Sequence, residues 1–405
     1  MHVAAACNFP VHPATPASSR PTATKPLPPQ PGVRQRGGCG GDSAVGSSGR
    51  ATRSPAELEA VFQAPPPQAL RWVNDQELGY RRVKKGEGFA YLDTRGRPLR
   101  RPAELARIRA LAIPPAYTDV WICASADGHI QATGRDARGR KQYRYHADWQ
   151  AQRSEYKFDS LPAFGQLLPA LRRRVRSRLG GGSAPTRERV LAALVRLLDT
   201  TAMRVGNIEY ARTNGSYGLS TLKCRHVRIG RSSLRLAFVG KSGVRHDVAV
   251  DDARLVRLMR RCADLPGQHL FQYIDDAGQH RRVDSTDINE WLASQAGPGV
   301  SAKVFRTWHA TVAALDLLLD PRGPGASQVV KAVAGRLGNT VAVCRKAYIH
   351  PAVMQLIASG QDPAELRAQP WAARPPACRG LRLGERRLLA LLAQERSGHR
   401  IGANT

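Results

Sequence analysis

Five side chains in this sequence carry the groups that a metal-free attack on a phosphodiester requires. A tyrosine phenol can act as the nucleophile, guanidinium groups can stabilise the phosphoryl charge, and an ammonium can protonate the leaving oxygen. An asparagine amide adds a neutral hydrogen-bond donor. The five residues are Arg204, Lys241, Arg306, Asn339 and Tyr348. Each residue also has an ordinary structural explanation. The predicted elements that carry the residues decide between that explanation and a catalytic role.

Arg204 and Lys241 stand at the ends of predicted elements. Apolar residues at helical spacing predict a helix over 186–203, which Arg204 would close. An arginine at that place often only neutralises the helix dipole. Lys241 belongs to the Gly-Lys-Ser-Gly turn between two alternating strands predicted over 234–250. A lysine at a hairpin tip is usually only solvated, although such a tip could also deliver an ammonium to a bound backbone.

The other three candidates belong to predicted helices or to their junctions. Arg306 lies near the start of a helix predicted over 303–319, off its apolar stripe and on the same face as His309. Asn339 stands at a helix end, where it could donate an amide hydrogen bond or simply cap the helix. Tyr348 lies between a short helical run and a His-Pro step that can start the next helix. A tyrosine in such a place often only packs.

The remaining pattern divides the chain into a strand-rich part and a helical part. Residues 60–155 are mostly strand and turn, with hairpins predicted over 88–96 and 120–133. Basic and aromatic residues alternate over 134–146, which suits either a surface laid against a duplex or a solvated loop. The pattern becomes helical after about residue 156. Further helices are predicted over 251–264, 285–296, 326–337, 340–347 and 384–394.

The composition indicates a nucleic-acid partner. The 405 residues include 62 Lys and Arg against 32 Asp and Glu, which gives a formal net charge of +30. An excess of this size, spread along the chain, is typical of proteins that bind nucleic acid. No apolar run is long enough to span a membrane, so we expect no membrane partner. The seven cysteines form no Cys-x-x-Cys pair, and we expect neither a metal site nor a disulfide framework.

The N-terminal residues 1–58 are predicted to form a disordered tail. Up to about residue 54 the sequence is rich in Pro, Gly, Ser, Ala and Arg, and it holds a single acidic residue, Asp42. It shows no apolar periodicity, and it lacks the charged start and apolar core of a secretory signal. We interpret the tail as a solvated basic arm.

Several segments together resemble the type IB DNA topoisomerases of the bacterial and poxvirus-like branch. Two of them are Arg-Val-Gly-Asn-Ile-Glu-Tyr at 204–210 and Arg-Lys-Ala-Tyr-Ile-His-Pro at 345–351. The full set of matching segments is 113–116, 134–145, 204–212, 214–219, 223–227, 305–308 and 344–351. The resemblance extends over residues 70–360.

The resemblance implies a role for each of the five candidates. Tyr348 would be the nucleophile that forms a 3′-phosphotyrosyl link and frees a 5′-hydroxyl. Arg204 and Arg306 would hold the non-bridging phosphoryl oxygens, and Lys241 would be the general acid toward the 5′-oxygen. Asn339 stands where the poxvirus-type enzymes have a histidine, and an amide can stabilise the transition state only as a neutral donor. His309 has no counterpart among the family's catalytic residues.

The resemblance also implies the partner and its contacts. Double-stranded DNA would be the substrate of a monomeric enzyme that requires no cofactor, no nucleotide and no metal. We expect such an enzyme in the bacterial cytoplasm, associated with the nucleoid. The predicted DNA-binding residues are Arg135, Arg138, Lys141, Gln142, Tyr143, Tyr145, Lys223, Arg225 and Lys346.

The predicted fold class is α+β. Residues 59–155 would form a small strand-rich N-terminal domain that binds DNA. Residues 156–400 would form a larger, mainly helical catalytic domain with a small β-hairpin sheet, similar to tyrosine recombinases and type IB topoisomerases. The resemblance implies that the two domains clamp duplex DNA.

Two alternatives remain open at this point. A tyrosine site-specific recombinase uses a similar set of Arg, Lys and Tyr residues, but its N-terminal half is helical rather than strand-rich. A non-enzymatic DNA-packaging protein would use only the positive charge. Replacing Tyr348 by phenylalanine separates the packaging protein from the enzymes, because packaging would lose nothing.

Overall fold

The structure, a computed structural model, describes residues 69–402 except Arg138, Ser183 and Pro298. The predicted tail over 1–58 and the predicted DNA-binding residue Arg138 lie outside the described residues. No helix within the described ranges has the length and apolar character needed to cross a bilayer.

A five-stranded antiparallel sheet forms the N-terminal part. Its strands are β1 (Gly79–Lys85), β2 (Gly88–Leu92), β3 (Thr118–Cys123), β4 (Ile130–Arg135) and β5 (Lys141–Tyr145), in the order β2-β1-β3-β4-β5. Helix α1 (Pro102–Ala110) covers one face, where Ile108 packs with Tyr80 and Ile122. Strand β5 is an edge strand, so one side of its backbone remains available.

The two predicted hairpins have different outcomes. The hairpin over 120–133 is confirmed, because β3 and β4 pair with Trp121 opposite Thr133. The hairpin over 88–96 is wrong in its partner, because β2 pairs backward with β1. After the turn at Gly96 only Leu92 and Pro98 form a bridge. Proline has no N–H to extend that ladder, and the chain soon enters α1.

The helical part begins earlier than the sequence pattern indicated. Helix α2 (Ala147–Asp159) starts directly after β5, and the His146 ring accepts a hydrogen bond from the Asp148 backbone as its N-cap. The domain boundary proposed at residue 155 therefore falls within a helix. The polar, basic and aromatic residues of α2 form no continuous apolar stripe, so apolar periodicity did not predict this helix.

The remaining helices surround one large apolar core. They are α3 (Leu161–Gly180), α4 (Arg187–Thr201), α5 (Ile208–Asn214), α6 (Ala253–Ala263), α7 (Ser285–Ala296), α8 (Ala302–Leu319), α9 (Ala326–Leu337), α10 (Val341–Ala347), α11 (Pro351–Ser359), α12 (Pro363–Ala368), α13 (Pro370–Ala373) and α14 (Leu383–Gly402). Those predicted after residue 250 are confirmed, with bounds shifted little except at the C-terminal end. Helices α4 and α8 lie deepest, since nearly all of their apolar side chains are buried.

Two small antiparallel sheets accompany these helices. One consists of β6 (Val227–Ile229), β7 (Ser233–Val239) and β8 (Arg245–Asp251), in that order, and the other of β9 (Gln272–Ile274) and β10 (His280–Arg282). The hairpin predicted over 234–250 is thereby confirmed as β7 and β8, and β6 adds a third strand.

Candidate active site

Arg204 lies in the irregular segment that follows a helix, and not within the helix itself. Helix α4 ends at Thr201, two residues before the predicted end, and Ala202 adopts a left-handed conformation with φ 52°. The carbonyl of Arg204 accepts a hydrogen bond from the backbone of Leu219 at 3.0 Å. Its side chain therefore projects from a segment beyond the helix whose backbone is held by Leu219.

Arg306 is buried, with 4% of its surface exposed, and it contacts the ends of two helices. Its Nη1 donates to the carbonyl of Ala202 at 2.5 Å, and its Nη2 donates to the carbonyl of Leu337 at 2.9 Å. The prediction of an off-stripe face was wrong, because α8 is buried on almost every side. Burial, followed by the nearby charge of Arg204, lowers the pKa of Arg306 from its ordinary value.

Asn339 follows the C-terminus of α9 and bonds to Arg204. Gly338, with φ 61°, provides the left-handed residue that closes the helix, so Asn339 is not the cap. The side-chain oxygen of Asn339 accepts a hydrogen bond from Arg204 Nη2. The two candidate residues, 135 positions apart in the chain, therefore form one hydrogen-bonded pair.

Tyr348 caps helix α10, and its half-buried ring lies beside Arg306. Its backbone N–H donates to the carbonyl of Cys344 at 3.0 Å. The Arg306 guanidinium carbon is 5.2 Å from the centroid of the ring. Arg204 and Asn339 thus form one pair and Arg306 and Tyr348 another, and the pairs are neighbours because Arg306 bonds to the carbonyl of Leu337, two residues before Asn339. The fold therefore brings four of the five candidate residues into one region.

Three hydrogen-bond donors in this cluster are buried without a partner. They are Nη1 of Arg204, Nε of Arg306 and Nδ2 of Asn339. Buried polar groups are nearly always paired, because an unpaired one costs about 1–3 kcal/mol. Among the described residues, unpaired buried atoms also occur at Gln152, Arg189, Thr307 and Arg386. Only in this cluster do three such donors lie beside a tyrosine, an arrangement that suits an anionic group with several oxygens.

Lys241 is exposed in the turn between β7 and β8. Ser242 in that turn has φ 63°. Within the described part of the chain, no hydrogen bond or ion pair of the Lys241 ammonium is present, and no direct contact joins it to the other four candidates. The hairpin itself approaches the cluster, because a Cβ on Gly338 would lie 2.9 Å from Val244.

Two residues that the sequence analysis missed hold the backbone around Tyr348. The Thr311 hydroxyl is 3.1 Å from the carbonyl of Tyr348, and it accepts a hydrogen bond from the His350 backbone. The Lys157 ammonium donates to the carbonyl of Ala347 at 2.5 Å. Burial lowers the pKa of Lys157 to about 8. Thr311 lies about one turn beyond Thr307 and Arg306 on α8, and only this helical spacing hinted at it.

His309 belongs to a different cluster. Its Nε2 is 3.2 Å from Oδ1 of Asp199. Asp199 in turn accepts two hydrogen bonds from Arg172, at 2.8 and 2.9 Å. His309 therefore bonds to a buried carboxylate and not to the group around Tyr348.

The predicted DNA-binding residues on β5 occupy two faces of the sheet. Lys141, Tyr143 and Tyr145 are exposed on one face, where the two tyrosine rings stack with their centroids 5.9 Å apart. Gln142 points to the opposite face, and its amide donates to Asp136 at 3.0 Å. Successive side chains of a strand point to opposite faces of the sheet. Gln142 therefore cannot belong to the same surface as Lys141, Tyr143 and Tyr145.

The other predicted DNA-binding residues have varied surroundings. Arg135 is 3.6 Å from Asp119, and Lys141 forms an ion pair with Asp75 at 2.5 Å. Lys223 donates to Gln268, and Arg225 donates to the hydroxyl of Tyr217. Lys346 is exposed two positions before Tyr348.

Two family models match this chain. The sequence model described as "Eukaryotic DNA topoisomerase I, catalytic core" matches residues 146–359. A second model, "Bacterial DNA topoisomerase IB, N-terminal domain", matches residues 88–136. In the ranges described, no group of three His, Cys, Asp or Glu side chains could hold a metal ion.

Two relatives of this chain are viral proteins. The chain is 31% identical over 295 residues to "DNA topoisomerase 1B" of Acanthamoeba polyphaga mimivirus, covering 69% of this chain and 87% of that protein. It is 22% identical over 261 residues to "DNA topoisomerase 1B" of Vaccinia virus (strain Copenhagen), covering 62% of this chain and 81% of that protein.

Proposed function

Since the chain belongs to the type IB DNA topoisomerases and is a DNA topoisomerase enzyme, we propose that it relaxes both positive and negative supercoils without ATP or a metal ion. One strand of the duplex is cleaved by Tyr348, the free end rotates about the intact strand, and the strand is then rejoined. The unpaired buried donors beside Tyr348 carry this proposal. They are the groups that a phosphoryl oxygen would satisfy.

Cleavage exchanges one phosphodiester for another. The phenol oxygen of Tyr348 bonds to the phosphorus and loses its proton to solvent, while the bond from phosphorus to the 5′-oxygen breaks. The Lys241 ammonium gives its proton to that oxygen, which leaves as a hydroxyl. Arg204, Arg306 and Asn339 donate hydrogen bonds to the non-bridging oxygens, whose charge increases in the transition state.

Rejoining reverses the same step. The 5′-hydroxyl attacks the phosphotyrosyl link and displaces the Tyr348 phenol. Because the protein–DNA link has about the same energy as the bond it replaced, no nucleotide has to be hydrolysed. The family relation also supports a reaction that requires no nucleotide.

The fold suggests how a duplex is held during this reaction. We place the N-terminal sheet on one side of the DNA and the helical part on the other, with the division before helix α2 and thus earlier than the boundary between 59–155 and 156–400 expected from sequence. Lys141, Tyr143 and Tyr145 would contact the duplex from the sheet, and Lys346 would contact it beside the scissile phosphate. Arg135, Lys223 and Arg225 are exposed or half-buried and remain proposed contacts, as does Arg138.

The enzyme would act as a monomer, because one chain supplies all five candidate residues. It would act on nucleoid DNA in a bacterium. The match to a bacterial N-terminal domain supports a bacterial enzyme.

The direct test is relaxation of plasmids of both supercoil signs in EDTA without ATP. The wild type should relax both, and Tyr348→Phe should bind the plasmids and relax neither. Tyr91→Phe removes a phenol hydroxyl from the N-terminal sheet and should behave as the wild type. A wild-type protein that binds DNA and leaves supercoiling unchanged would contradict the proposal. Products joined between two duplexes would instead indicate a recombinase.

A further inference from the structure

The imidazole of His246 lies between the two turns that carry Lys241 and Asn339. A Cβ on Gly240, the residue before Lys241, would lie 2.7 Å from both Cδ2 and Nε2 of His246. A Cβ on Gly338, the residue before Asn339, would lie 3.4 Å from Cε1 of the same ring. One ring therefore lies beside both turns and is closer to Gly240 than to Gly338.

Gly240 is a glycine for reasons of space rather than conformation. Its φ of −95° and ψ of −166° are open to any residue. At 2.7 Å, however, an added Cβ would overlap the His246 ring, which is tighter than van der Waals contact allows. The close approach of ring and backbone is thus the feature that this glycine permits.

The ring cannot easily move aside. It stacks on Phe238 of the neighbouring strand at 4.9 Å between centroids and 23° between planes, and the two residues are direct cross-strand partners. Phe238 is itself buried in the apolar core. Stacking on one side and two backbone turns on the other leave the imidazole held in place.

His246 faces the guanidinium groups of the site without adding charge to them. Burial first, and then the charges of Arg204 and Arg306, lower the pKa of His246 from its ordinary value. Neither ring nitrogen has a hydrogen-bond partner among the residues that the structure describes. We therefore expect His246 to act on the site through the packing of its ring, and not through charge or hydrogen bonding.

We propose that His246 is a positioning residue that sets the Lys241 turn against the Asn339 turn. This inference rests on the proposed role of Lys241 as the general acid. The exposed Lys241 ammonium has no hydrogen-bond or ion-pair partner among the residues that the structure describes, so its place at the leaving oxygen depends on how the turn is positioned. The His246 ring fixes the position of that turn.

The alternation of β8 contained a signal for this residue. His246, Val248 and Val250 are less exposed than the residues between them, so they share the inner face. His246 was not among the predicted site residues, because alternation alone does not show which elements pack beneath the hairpin.

The test compares cleavage of two DNA duplexes by full-length His246→Ala in a single turnover. One duplex has an ordinary phosphodiester at a cleavage site first mapped on plasmid DNA, and the other has sulfur in place of the 5′-bridging oxygen there. A thiolate leaves without protonation because its conjugate acid is far more acidic than an alcohol. The sulfur duplex therefore bypasses the general acid.

His246→Ala should cleave the ordinary duplex about 10²-fold more slowly, as expected when a catalytic group is misplaced. It should cleave the sulfur duplex at the wild-type rate. His246→Phe, which keeps a planar ring against both turns, should cleave both duplexes as the wild type does. His280→Ala, at an exposed histidine of β10, is the matched control.

Three results would overturn the positioning role. His246→Ala could cleave both duplexes at the wild-type rate, it could slow on both equally, or His246→Phe could be as slow as His246→Ala. Lys241→Ala separates this inference from the proposed function. If the sulfur duplex does not rescue Lys241→Ala, the general-acid role of Lys241 is wrong, whatever His246 does.

Discussion

Asn339 shows at the scale of one residue how this site can function without the family's histidine. Its oxygen accepts a hydrogen bond from Arg204, and its Nδ2 is buried without a partner. The acceptor half of the amide orients a guanidinium, and the donor half remains free for a phosphoryl oxygen. We infer that the donor half is the part that matters for the reaction.

Asn339→Asp separates the two halves. Aspartate keeps an acceptor for Arg204 but replaces the donor with a negative charge, so the cleavage rate should fall by about 10²–10³-fold. Thermal stability should not decrease, because the bond to Arg204 is retained. Single-turnover cleavage and thermal unfolding of the same preparations measure the two effects.

Asn339→His is the control, since a histidine restores a donor at this position, and it should remain active. Wild-type cleavage by Asn339→Asp would show that the amide donor has no role in the reaction.

Sequence reasoning at this scale identified residue types better than surroundings. It selected the four residues that the fold brings together, because their chemistry is rare in combination. It placed Arg306 off the apolar stripe of its helix, and it missed Thr311 and His246. Those contacts depend on segments distant in the chain, which periodicity cannot detect.

At the scale of elements, two glycines hold the segment that carries Arg204. A Cβ on Gly218 would lie 2.5 Å from the backbone nitrogen of Gly206 and 2.8 Å from the carbonyl of Arg204. The Gly218 backbone is extended, with φ −146°, so an alanine there would be strained only by this contact. Both clashing atoms belong to backbone and cannot rotate away.

Gly218→Ala should therefore lower the free energy of unfolding by about 1–3 kcal/mol, as overpacking does. Gly335→Ala is the opposite case, because nothing lies within 4 Å of its added Cβ inside helix α9. It should raise the free energy of unfolding by about 0.5–1 kcal/mol. Denaturant unfolding measures both variants. Equal stability of Gly218→Ala and the wild type would show that the segments can separate freely.

Elements with strong end signals were predicted well. Helices 285–296 and 326–337 were predicted with the bounds they have, and the structure places Asp284 before the first and Gly338 after the second as caps. The helix over 147–159 was not found, since its N-cap is a histidine and its apolar residues form no stripe. Pairing of β2 with β1 also escaped prediction, because partner choice depends on the whole sheet.

At the scale of the whole molecule, a buried charge cluster joins the C-terminal helix to the site. Arg172 of α3 bonds to Glu385 of α14 at 2.7 and 2.8 Å and also to Asp199 of α4. Asp199 lies three residues before Ala202, whose carbonyl holds Arg306. Burial opposes ionisation of Glu385, but the hydrogen bonds from Arg172 outweigh it and lower its pKa to about 2.

This shift predicts how stability depends on pH. A carboxylate whose pKa is lower in the folded state stabilises the fold fully above its unfolded pKa of about 4.5, and the contribution is lost as the pH falls toward 2. Glu385→Gln should be less stable than the wild type by about 3 kcal/mol at pH 7. The difference should shrink steadily between about pH 4.5 and pH 2.

Chemical denaturation at several pH values measures this difference. Glu290→Gln, at an exposed glutamate of α7, should change the free energy of unfolding by no more than about 0.5 kcal/mol. A difference for Glu385→Gln that stays constant across the pH range would contradict the lowered pKa.

The net charge of +30 predicts DNA binding that weakens steeply with salt. A protein with 6–10 phosphate contacts loses about 10³–10⁵-fold in affinity between 50 and 200 mM salt. Lys346→Ala in the Tyr348→Phe background should reduce the slope of log K against log salt by about 1. Fluorescence anisotropy with a labelled duplex measures the slopes.

Arg235→Ala is the control for the slope, because that guanidinium is already paired with Asp247 at 2.6 Å. It should change the slope less than Lys346→Ala does. An unchanged slope for Lys346→Ala would exclude it as a phosphate contact.

Composition predicted the partner at this scale, but it could not predict how the sheet and the helices are joined. Helix α2 crosses the boundary expected at residue 155, and Lys157 within it reaches the backbone beside Tyr348. The two parts are therefore coupled through a helix that the sequence pattern did not reveal.

The central claim is that Tyr348 becomes linked to the 3′ end of a cleaved strand. The most direct measurement is mass spectrometry of peptides from the protein trapped on a duplex whose cleaved fragment dissociates. We predict a nucleotide attached through its 3′-phosphate to Tyr348, and a 5′-hydroxyl on the released fragment. A nucleotide on any other residue, or a 5′-phosphate on the fragment, would contradict the account.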